Sequence, residues 1–202
     1  MYLVDKTLID YIDAVDSDLP APGGGSVAAL VGALGVSLAK MSAHFSVNKK
    51  KFKDAEQRKQ EKYILAFREL DYFKDLLIKG VDDDAISYET VTRALKSKDQ
   101  ESIQKALKVS TIVAFDMQES SYNALKYVER LIELGNKYLY SDLISSAILL
   151  AACNEMASLN VKANASMLDN QEEKEKYLSE SLDMVNKSKK LKNKIINTIN
   201  KI

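Results

Sequence analysis

Apolar residues recur every three or four positions along most of this sequence of 202 residues, which is the period of an α-helix packed along one face. The clearest example is segment 54–79, whose apolar positions include Tyr63, Ala66, Phe67, Leu70, Phe73 and Leu77. No alternating strand pattern of useful length occurs, and there is no Asn-Gly or Asp-Gly hairpin signal. We therefore predict an all-α fold: a single-domain helical bundle of about six to seven helices over residues 1–202.

Proline and glycine mark the ends of the predicted helices. Both prolines, Pro20 and Pro22, lie between the first and second helices, and none follows them. Gly80 is a suitable C-terminal cap for the third helix, and Gly135 ends the fifth. The predicted helices span residues 5–16, 26–46, 54–79, 82–95, 101–134, 140–167 and 172–199.

The second predicted helix consists largely of alanine, serine and glycine. Gly32 and Gly35 lie in its interior, where glycine costs roughly 1 kcal/mol relative to alanine. Close approach of the backbone to another helix or to a ligand offsets that cost. A face of small residues also suits a homodimer contact, so the sequence leaves these interpretations open.

Composition and charge exclude some function classes. The 29 basic and 29 acidic residues give a formal net charge of zero, so we expect neither nucleic acid nor an anionic membrane as a partner. The weakly polar run 27–39 is too short to span a bilayer and ends at Lys40. The N-terminus lacks the apolar core of a signal peptide. The only cysteine, Cys153, is predicted to be a buried small residue, and His44 to be packed or on the surface. We predict a cytoplasmic protein.

Four stretches carry candidate chemistry. The first is the turn Pro22, Gly23, Gly24, Gly25, Ser26. Bare glycine N–H groups before a helix suit an anion, and Ser26 suits the N-cap position. A sharp turn into the helix explains the pattern equally well, so both interpretations stay open here.

The second and third stretches carry opposite charges. Lys49, Lys50 and Lys51 are consecutive; they suit a substrate that bears carboxylates, or simply solvated charge at a helix end. Segment 82–84 contains three consecutive aspartates where we predict a helix to begin, and the helix dipole favours acids there. A carboxylate turned into a pocket would instead have a raised pKa suited to acid–base chemistry. No calcium-loop spacing follows, so we predict no metal site.

The fourth stretch is the apolar helix 140–167. Asp142 lies at its start, and Asn160 and Asn164 share a face by their i, i+4 spacing. Polar groups on a buried helix need partners, so these side chains either bond to backbone groups or line a site.

The order of these elements is more specific than any one of them. The ordered set comprises Pro22-Gly-Gly-Gly-Ser26, Lys49-Lys50-Lys51-Phe52, Asp82-x-Asp84-Ala85, Gly135-Asn136, Ser141-Asp142 and Asn160-Val161. Over nearly the whole chain, this order resembles the cyclodeaminase/cyclohydrolase family. That family includes the C-terminal domain of formiminotransferase-cyclodeaminase and stand-alone methenyltetrahydrofolate cyclohydrolases.

The resemblance implies an all-helical homodimer that binds a folate, with or without a polyglutamate tail, in a cleft, and no cofactor beyond the tetrahydrofolate substrate. It implies that Asp84 is the catalytic aspartate and Asp82 a nearby carboxylate. It further implies substrate-binding positions at Pro22, Gly23, Gly24, Gly25, Ser26, Lys49, Lys50, Ser141 and Asp142. The implied activity is a formiminotetrahydrofolate cyclodeaminase (a lyase of histidine degradation) or a methenyltetrahydrofolate cyclohydrolase. A non-enzymatic dimeric scaffold is the alternative from another class.

Three positions depart from the family pattern. Asn48 stands where a glycine commonly precedes the basic run, and Ile86 replaces a polar residue common two positions after the catalytic aspartate. Ile112 stands where relatives often have a proline. None of these departures removes a proposed catalytic group.

Overall fold

The computed structural model describes residues 2–202, and within them it contains helices and no strands. The helices are α1 (Leu8–Val15), α2 (Gly24–Ser46), α3 (Lys50–Lys53), α4 (Gln57–Ser97), α5 (Gln100–Arg130), α6 (Tyr140–Ala165) and α7 (Gln171–Ile199). Two short 3-10 helices cover Leu3–Asp5 and Lys137–Leu139. The prediction of an all-α fold is confirmed.

α2, α4, α5 and α6 form a four-helix bundle, and α7 packs on α5 and α6. α2 runs antiparallel to α4, because Gly25 lies against Asp84 and Gly32 against Leu77. The ends of α2 therefore define two ends of the bundle. We call the end beside Gly25 and Asp84 the aspartate end, and the end that precedes Lys49–Lys51 the lysine end.

One predicted helix boundary is wrong. The third and fourth predicted helices are a single helix, α4, which continues through Gly80 without a break. A Cβ at Gly80 would lie 3.1 Å from Met117 Cγ and 3.3 Å from Ala29 Cβ. Gly80 is therefore present because α2 and α5 approach the backbone closely. Glycine costs only about 1 kcal/mol inside a helix, which the packing of a helix of this length tolerates.

The close approach predicted for the second helix is present in the structure. A Cβ at Gly32 would lie 2.7 Å from Cys153 Sγ, and one at Gly35 would lie 3.1 Å from the Cβ of Leu149. The backbone of α2 thus packs directly against side chains of α6. Burial raises the pKa of the Cys153 thiol to about 12, so the thiol stays protonated and Cys153 acts as a small core residue.

Replacing Gly32 by alanine is expected to lower the free energy of unfolding by about 1–2 kcal/mol. Overpacking a core typically costs about 1–3 kcal/mol, and the better helix propensity of alanine returns up to about 1. Urea denaturation measures the change. The double variant Gly32→Ala/Cys153→Ala should lose less stability than the sum of the losses in the two single variants. The sulfur that would lie 2.7 Å from the new methyl group is then absent. A Gly32→Ala protein at least as stable as the parent would contradict this packing argument.

Two segments, Gly24–Ser46 and Lys137–Ala165, are long and apolar enough to cross a membrane by length and composition alone. The expectation that the apolar run is too short was wrong for α2, because the helix continues past Lys40 to Ser46. More than half of the most apolar window of α2 is buried in the bundle. Packing against neighbouring helices is a second physical reason for an apolar helix. The absence of a membrane partner stays a prediction.

Candidate functional site

The three consecutive aspartates lie inside α4 and point in three directions. Successive residues of a helix are turned by about 100°, which separates their carboxylates. Asp82 Oδ1 accepts the Leu3 N–H at 2.5 Å, Asp83 pairs with Lys79 at 2.5 Å, and Asp84 Oδ2 accepts the Ser26 N–H at 2.9 Å. The prediction that they begin a helix is wrong. Only Asp84 faces the first turn of α2.

The glycine turn opens α2 without a capping side chain. The helix begins at Gly24, and Gly23 occupies the N-cap position. Glycine has no side chain that could accept a hydrogen bond there. Ser26, which the sequence suggested as the N-cap, lies instead within the first turn. Because the first four N–H groups of a helix lack partners within it, the Asp84 carboxylate serves as a cap supplied by another helix.

Gly25 is required by the closeness of Asp84. A Cβ at Gly25 would lie 2.0 Å from Asp84 Oδ1 and 2.4 Å from its Cγ, far inside van der Waals contact. No such crowding exists at Gly23 or Gly24, where a Cβ would meet nothing within 4 Å. The fold therefore brings the glycine turn and the aspartate segment, 58 residues apart in sequence, into direct contact.

The environment of Asp84 favours the protonated form more than water does. Burial raises the pKa of this carboxyl above its ordinary value, and the hydrogen bond from the Ser26 N–H lowers it in part. A carboxyl whose pKa is raised toward the working pH can both accept and release a proton during a reaction. This property is typical of acid–base groups in functional sites.

Further polar side chains lie near the aspartate end, and most of them carry no signal in the sequence. The Ser87 hydroxyl donates to the Asp84 backbone carbonyl at 3.0 Å and lies 3.2 Å from Ser110 Oγ. Asn164 Nδ2 donates to Ser110 Oγ at 2.9 Å. Asn164 was identified from its spacing with Asn160, whose Nδ2 donates to a backbone carbonyl of its own helix. Serine is too common in helices for its position alone to mark Ser87 or Ser110.

Asp83 belongs to a different face of α4. With Lys79, Asp116 and Glu119 it lines a cleft of about 290 Å³ between α4 and α5. Burial and the charges of Glu119 and Asp83 raise the pKa of Asp116. Among residues 2–202, no group of three His, Cys, Asp or Glu side chains is arranged to hold a metal ion; metal-free chemistry stays a prediction.

The lysine segment lies at the other end of α2. Lys49 precedes the short helix α3, which the sequence analysis did not predict, and both Lys49 and Lys50 are exposed. Lys51 is the lysine that reaches the bundle: its Nζ lies 3.3 Å from the Tyr140 hydroxyl and 3.5 Å from the Gly135 carbonyl oxygen. The Gly135-Asn136 turn is also fixed here, because the Asn136 N–H donates to Ser46 Oγ at 2.9 Å.

Ser141 and Asp142 lie in the first turn of α6 at the lysine end, with Ser141 exposed and Asp142 half-buried. From Ser26 to Ser46, α2 is about 30 Å long at 1.5 Å per residue. The predicted site residues therefore form two groups in one chain. The glycine turn, Asp82 and Asp84 lie at the aspartate end; Lys49, Lys50, Ser141 and Asp142 lie at the lysine end.

The fold and the site together define a helical-bundle protein in which a half-buried carboxylate caps the first turn of a helix that begins with glycines. The sequence profile of the formiminotransferase-cyclodeaminase family matches residues 7–183. The chain therefore belongs to this family, and it is an enzyme.

Individual relatives agree with this assignment. The chain is 27% identical over 204 residues to the methenyltetrahydrofolate cyclohydrolase of Methylorubrum extorquens, with 96% of each chain covered. It is 29% identical over 192 residues to the formimidoyltransferase-cyclodeaminase of Gallus gallus, which matches 91% of this chain but only 34% of that longer protein. The crystal structure of formiminotetrahydrofolate cyclodeaminase from Thermotoga maritima superposes with a TM-score of 0.85 at 26% identity, over 96% of this chain and 98% of that one.

Proposed function

We propose that this enzyme converts 5-formiminotetrahydrofolate to 5,10-methenyltetrahydrofolate and ammonia, with Asp84 as the acid–base group. The observation that carries the proposal is the half-buried Asp84 carboxylate, whose Oδ2 accepts the Ser26 N–H at 2.9 Å. The end-to-end similarity to a cyclohydrolase supports a second candidate, the hydrolysis of 5,10-methenyltetrahydrofolate to 10-formyltetrahydrofolate. Both reactions act on the one-carbon unit between N5 and N10 of the folate.

The cyclodeaminase reaction starts from the protonated formimino group, whose nitrogen carries two protons. A bond forms between N10 and the formimino carbon, and the bond from that carbon to the formimino nitrogen breaks. Asp84 accepts the proton that N10 loses. It then donates a proton to the departing nitrogen, which leaves as ammonia. One carboxyl can perform both transfers in sequence when its pKa lies near the working pH, and burial shifts the pKa of Asp84 upward.

In the cyclohydrolase reaction, water adds to the methenyl carbon and Asp84 accepts a proton from it. The bond to N5 then breaks, and the remaining hydroxyl proton is transferred to N5 as the formyl group forms on N10. An ionised carboxylate beside the methenyl carbon also stabilises the cationic methenyl compound electrostatically. Asp82, two residues before Asp84 on α4, would add negative charge at the same end of the bundle.

Lys49 and Lys50 are proposed to bind the glutamate tail of the folate by charge. Both are exposed, and Lys50 makes only a long 4.0 Å contact with Asp54, so their ammonium groups are free for a carboxylate-bearing ligand. Asp84 and these lysines lie at opposite ends of α2, about 30 Å apart. Joining them in one site calls for a second copy of the chain.

The surface of α2 supports such a homodimer. Leu34, Met41 and Phe45 lie along its outer face and are 52%, 36% and 58% exposed. Apolar residues clustered on a surface commonly mark a protein interface. A two-fold axis that pairs the two α2 helices antiparallel brings the lysine end of one copy to the aspartate end of the other. Each site would then take Asp84 from one chain and lysines from its partner.

Mixing two inactive variants tests the shared site. Asp84→Asn and Lys49→Ala/Lys50→Ala homodimers are each expected to be slow at low concentrations of polyglutamylated folate. After unfolding and refolding together, random pairing should restore about a quarter of the parent activity, because half of the dimers are mixed and each mixed dimer has one intact site. No recovery, with mixed dimers demonstrated by a mass tag, would contradict a site shared between chains.

Absorbance of the methenyl compound distinguishes the two reactions. Growth of the signal from 5-formiminotetrahydrofolate identifies the cyclodeaminase, which would connect the enzyme with histidine degradation. Faster decay of 5,10-methenyltetrahydrofolate than in buffer identifies the cyclohydrolase. If neither folate raises the melting temperature and neither is turned over, both candidate functions are wrong and a non-enzymatic scaffold is favoured.

A further inference from the structure

α1 is attached to the bundle through one buried side chain. Tyr11 is 7% exposed and packs among Ala29 and Val81, whereas Leu8 and Ile9 on the same helix are 71% and 70% exposed. The position of α1 relative to the aspartate end therefore depends on Tyr11.

The Tyr11 hydroxyl is linked to Asp84 through a single intervening residue, Ser26. It lies 2.9 Å from the hydroxyl of Ser26, which is fully buried. The backbone N–H of the same Ser26 donates to Asp84 Oδ2 at 2.9 Å. A single serine thus joins the tyrosine to the carboxylate, through its side chain on one side and its backbone on the other.

The N-terminal segment makes a second contact beside Asp84. The Leu3 N–H donates to Asp82 Oδ1 at 2.5 Å. Residues 3–11 therefore reach from the carboxylate of Asp82 to the hydroxyl of Ser26. Nothing in the sequence of this segment distinguishes Tyr11 from an ordinary core aromatic residue.

The Tyr11 phenol is a neutral hydrogen-bonding group. Burial raises its pKa above the ordinary value, the hydrogen bond with Ser26 lowers it in part, and the negative charges of Asp84 and Asp82 raise it further. Tyr11 therefore keeps its proton wherever Asp84 titrates, and it orients Ser26 without adding charge to the site.

We propose that Tyr11 is a positioning residue for Asp84: its hydroxyl holds Ser26 and so keeps the first turn of α2 at hydrogen-bond distance from the carboxylate. The inference rests on the proposed role of Asp84 in catalysis. It assigns a function in the site to α1, a helix with few other contacts.

Tyr11→Phe tests the proposal because it keeps the buried ring and removes only the hydroxyl. Losing one such hydrogen bond should lower kcat by about 2- to 10-fold, with little change in KM. A looser Ser26 N–H withdraws the interaction that lowers the pKa of Asp84, so the acidic limb of the kcat/KM profile should move to higher pH. The exposed Tyr72, which is 61% exposed on the opposite part of α4, supplies the control Tyr72→Phe, for which no change is expected.

A carboxyl NMR titration makes the test independent of turnover. The resonance of Asp84, assigned by its loss in Asp84→Asn, should titrate at higher pH in Tyr11→Phe than in the parent protein. Ser26→Ala and the double variant Tyr11→Phe/Ser26→Ala should behave alike, because the tyrosine acts through the serine. Unchanged titration and unchanged pH profile in Tyr11→Phe would overturn the proposal, even if that variant is less stable to heat. Full activity in Asp84→Asn would instead overturn the proposed function. The NMR titration would still test whether Tyr11 affects the pKa of Asp84.

Discussion

Replacing Asp84 by asparagine is expected to lower kcat by about 100- to 10,000-fold, the usual contribution of a general acid–base group, while the protein still folds. Asparagine has nearly the same shape, and its carbonyl oxygen can still accept the Ser26 N–H that Asp84 accepts at 2.9 Å. It cannot take up or release a proton. The measurement is steady-state turnover of the methenyl compound, with circular dichroism to monitor folding.

The same change is expected to preserve or raise stability at neutral pH. Burial raises the pKa of Asp84, so the folded protein binds the proton more tightly than the unfolded chain does. Such a group opposes folding increasingly as the pH rises through the unfolded and then the folded pKa. Asparagine lacks the charge, and the stability difference between the parent and Asp84→Asn should therefore shrink as the pH is lowered.

Asp83→Asn is the matched control. Asp83 is the adjacent residue of the same helix, but its carboxylate pairs with the exposed Lys79 and faces the cleft between α4 and α5. An exposed pair of this kind contributes at most about 1 kcal/mol. Asp83→Asn should therefore keep near-parent turnover. Equal losses in the two variants would contradict a specific role for Asp84.

Replacing Gly25 by alanine is expected to lower kcat by about 100-fold, because a misplacement of about 1 Å in a catalytic group has an effect of that size. The new methyl group would lie 2.0 Å from Asp84 Oδ1, so the carboxylate must move. It is the end of a short side chain and can rotate away, whereas the backbone of α2 stays. Alanine also has a better helix propensity by up to about 1 kcal/mol, so thermal unfolding should change little.

A double variant separates this mechanism from a general disturbance of α2. If Gly25→Ala acts by displacing Asp84, then Gly25→Ala/Asp84→Asn should be no slower than Asp84→Asn alone. Multiplicative losses would show that Gly25→Ala damages the site by another route. A large decrease in the melting temperature of Gly25→Ala would likewise contradict the expectation that the Asp84 carboxylate moves and the backbone of α2 does not.

Helix periodicity predicted most of the fold. It failed at a glycine, because glycine can either end a helix or lie inside one where another helix approaches closely. Gly80 looked like a C-terminal cap, a common role of glycine after an apolar periodic segment. In the structure it is an interior glycine that Met117 and Ala29 approach closely. The distinction depends on side chains of α2 and α5, which lie far from Gly80 in sequence.

The residues proposed for the candidate site came from motif order, whereas their arrangement in space came from the structure. Motif order identified the family and selected Asp84, and the glycine turn was correctly singled out as unusual. Yet Ser26 is not the N-cap, the contact between Lys51 and Tyr140 was not predicted, and Tyr11 carried no signal. These differences arise from contacts between helices that local pattern does not encode.

The sequence by itself determined that this protein is helical, that it belongs to a folate-related family, and which side-chain types are available for chemistry. Those properties follow from local periodicity and from the order of residues along the chain. Only the tertiary structure decided which of three adjacent carboxylates meets the glycine turn, and that the lysines lie at the other end of α2. The reason is geometric: each residue turns a helix by about 100°, so neighbours in sequence face different partners, and the antiparallel packing of α2 and α4 selects Asp84.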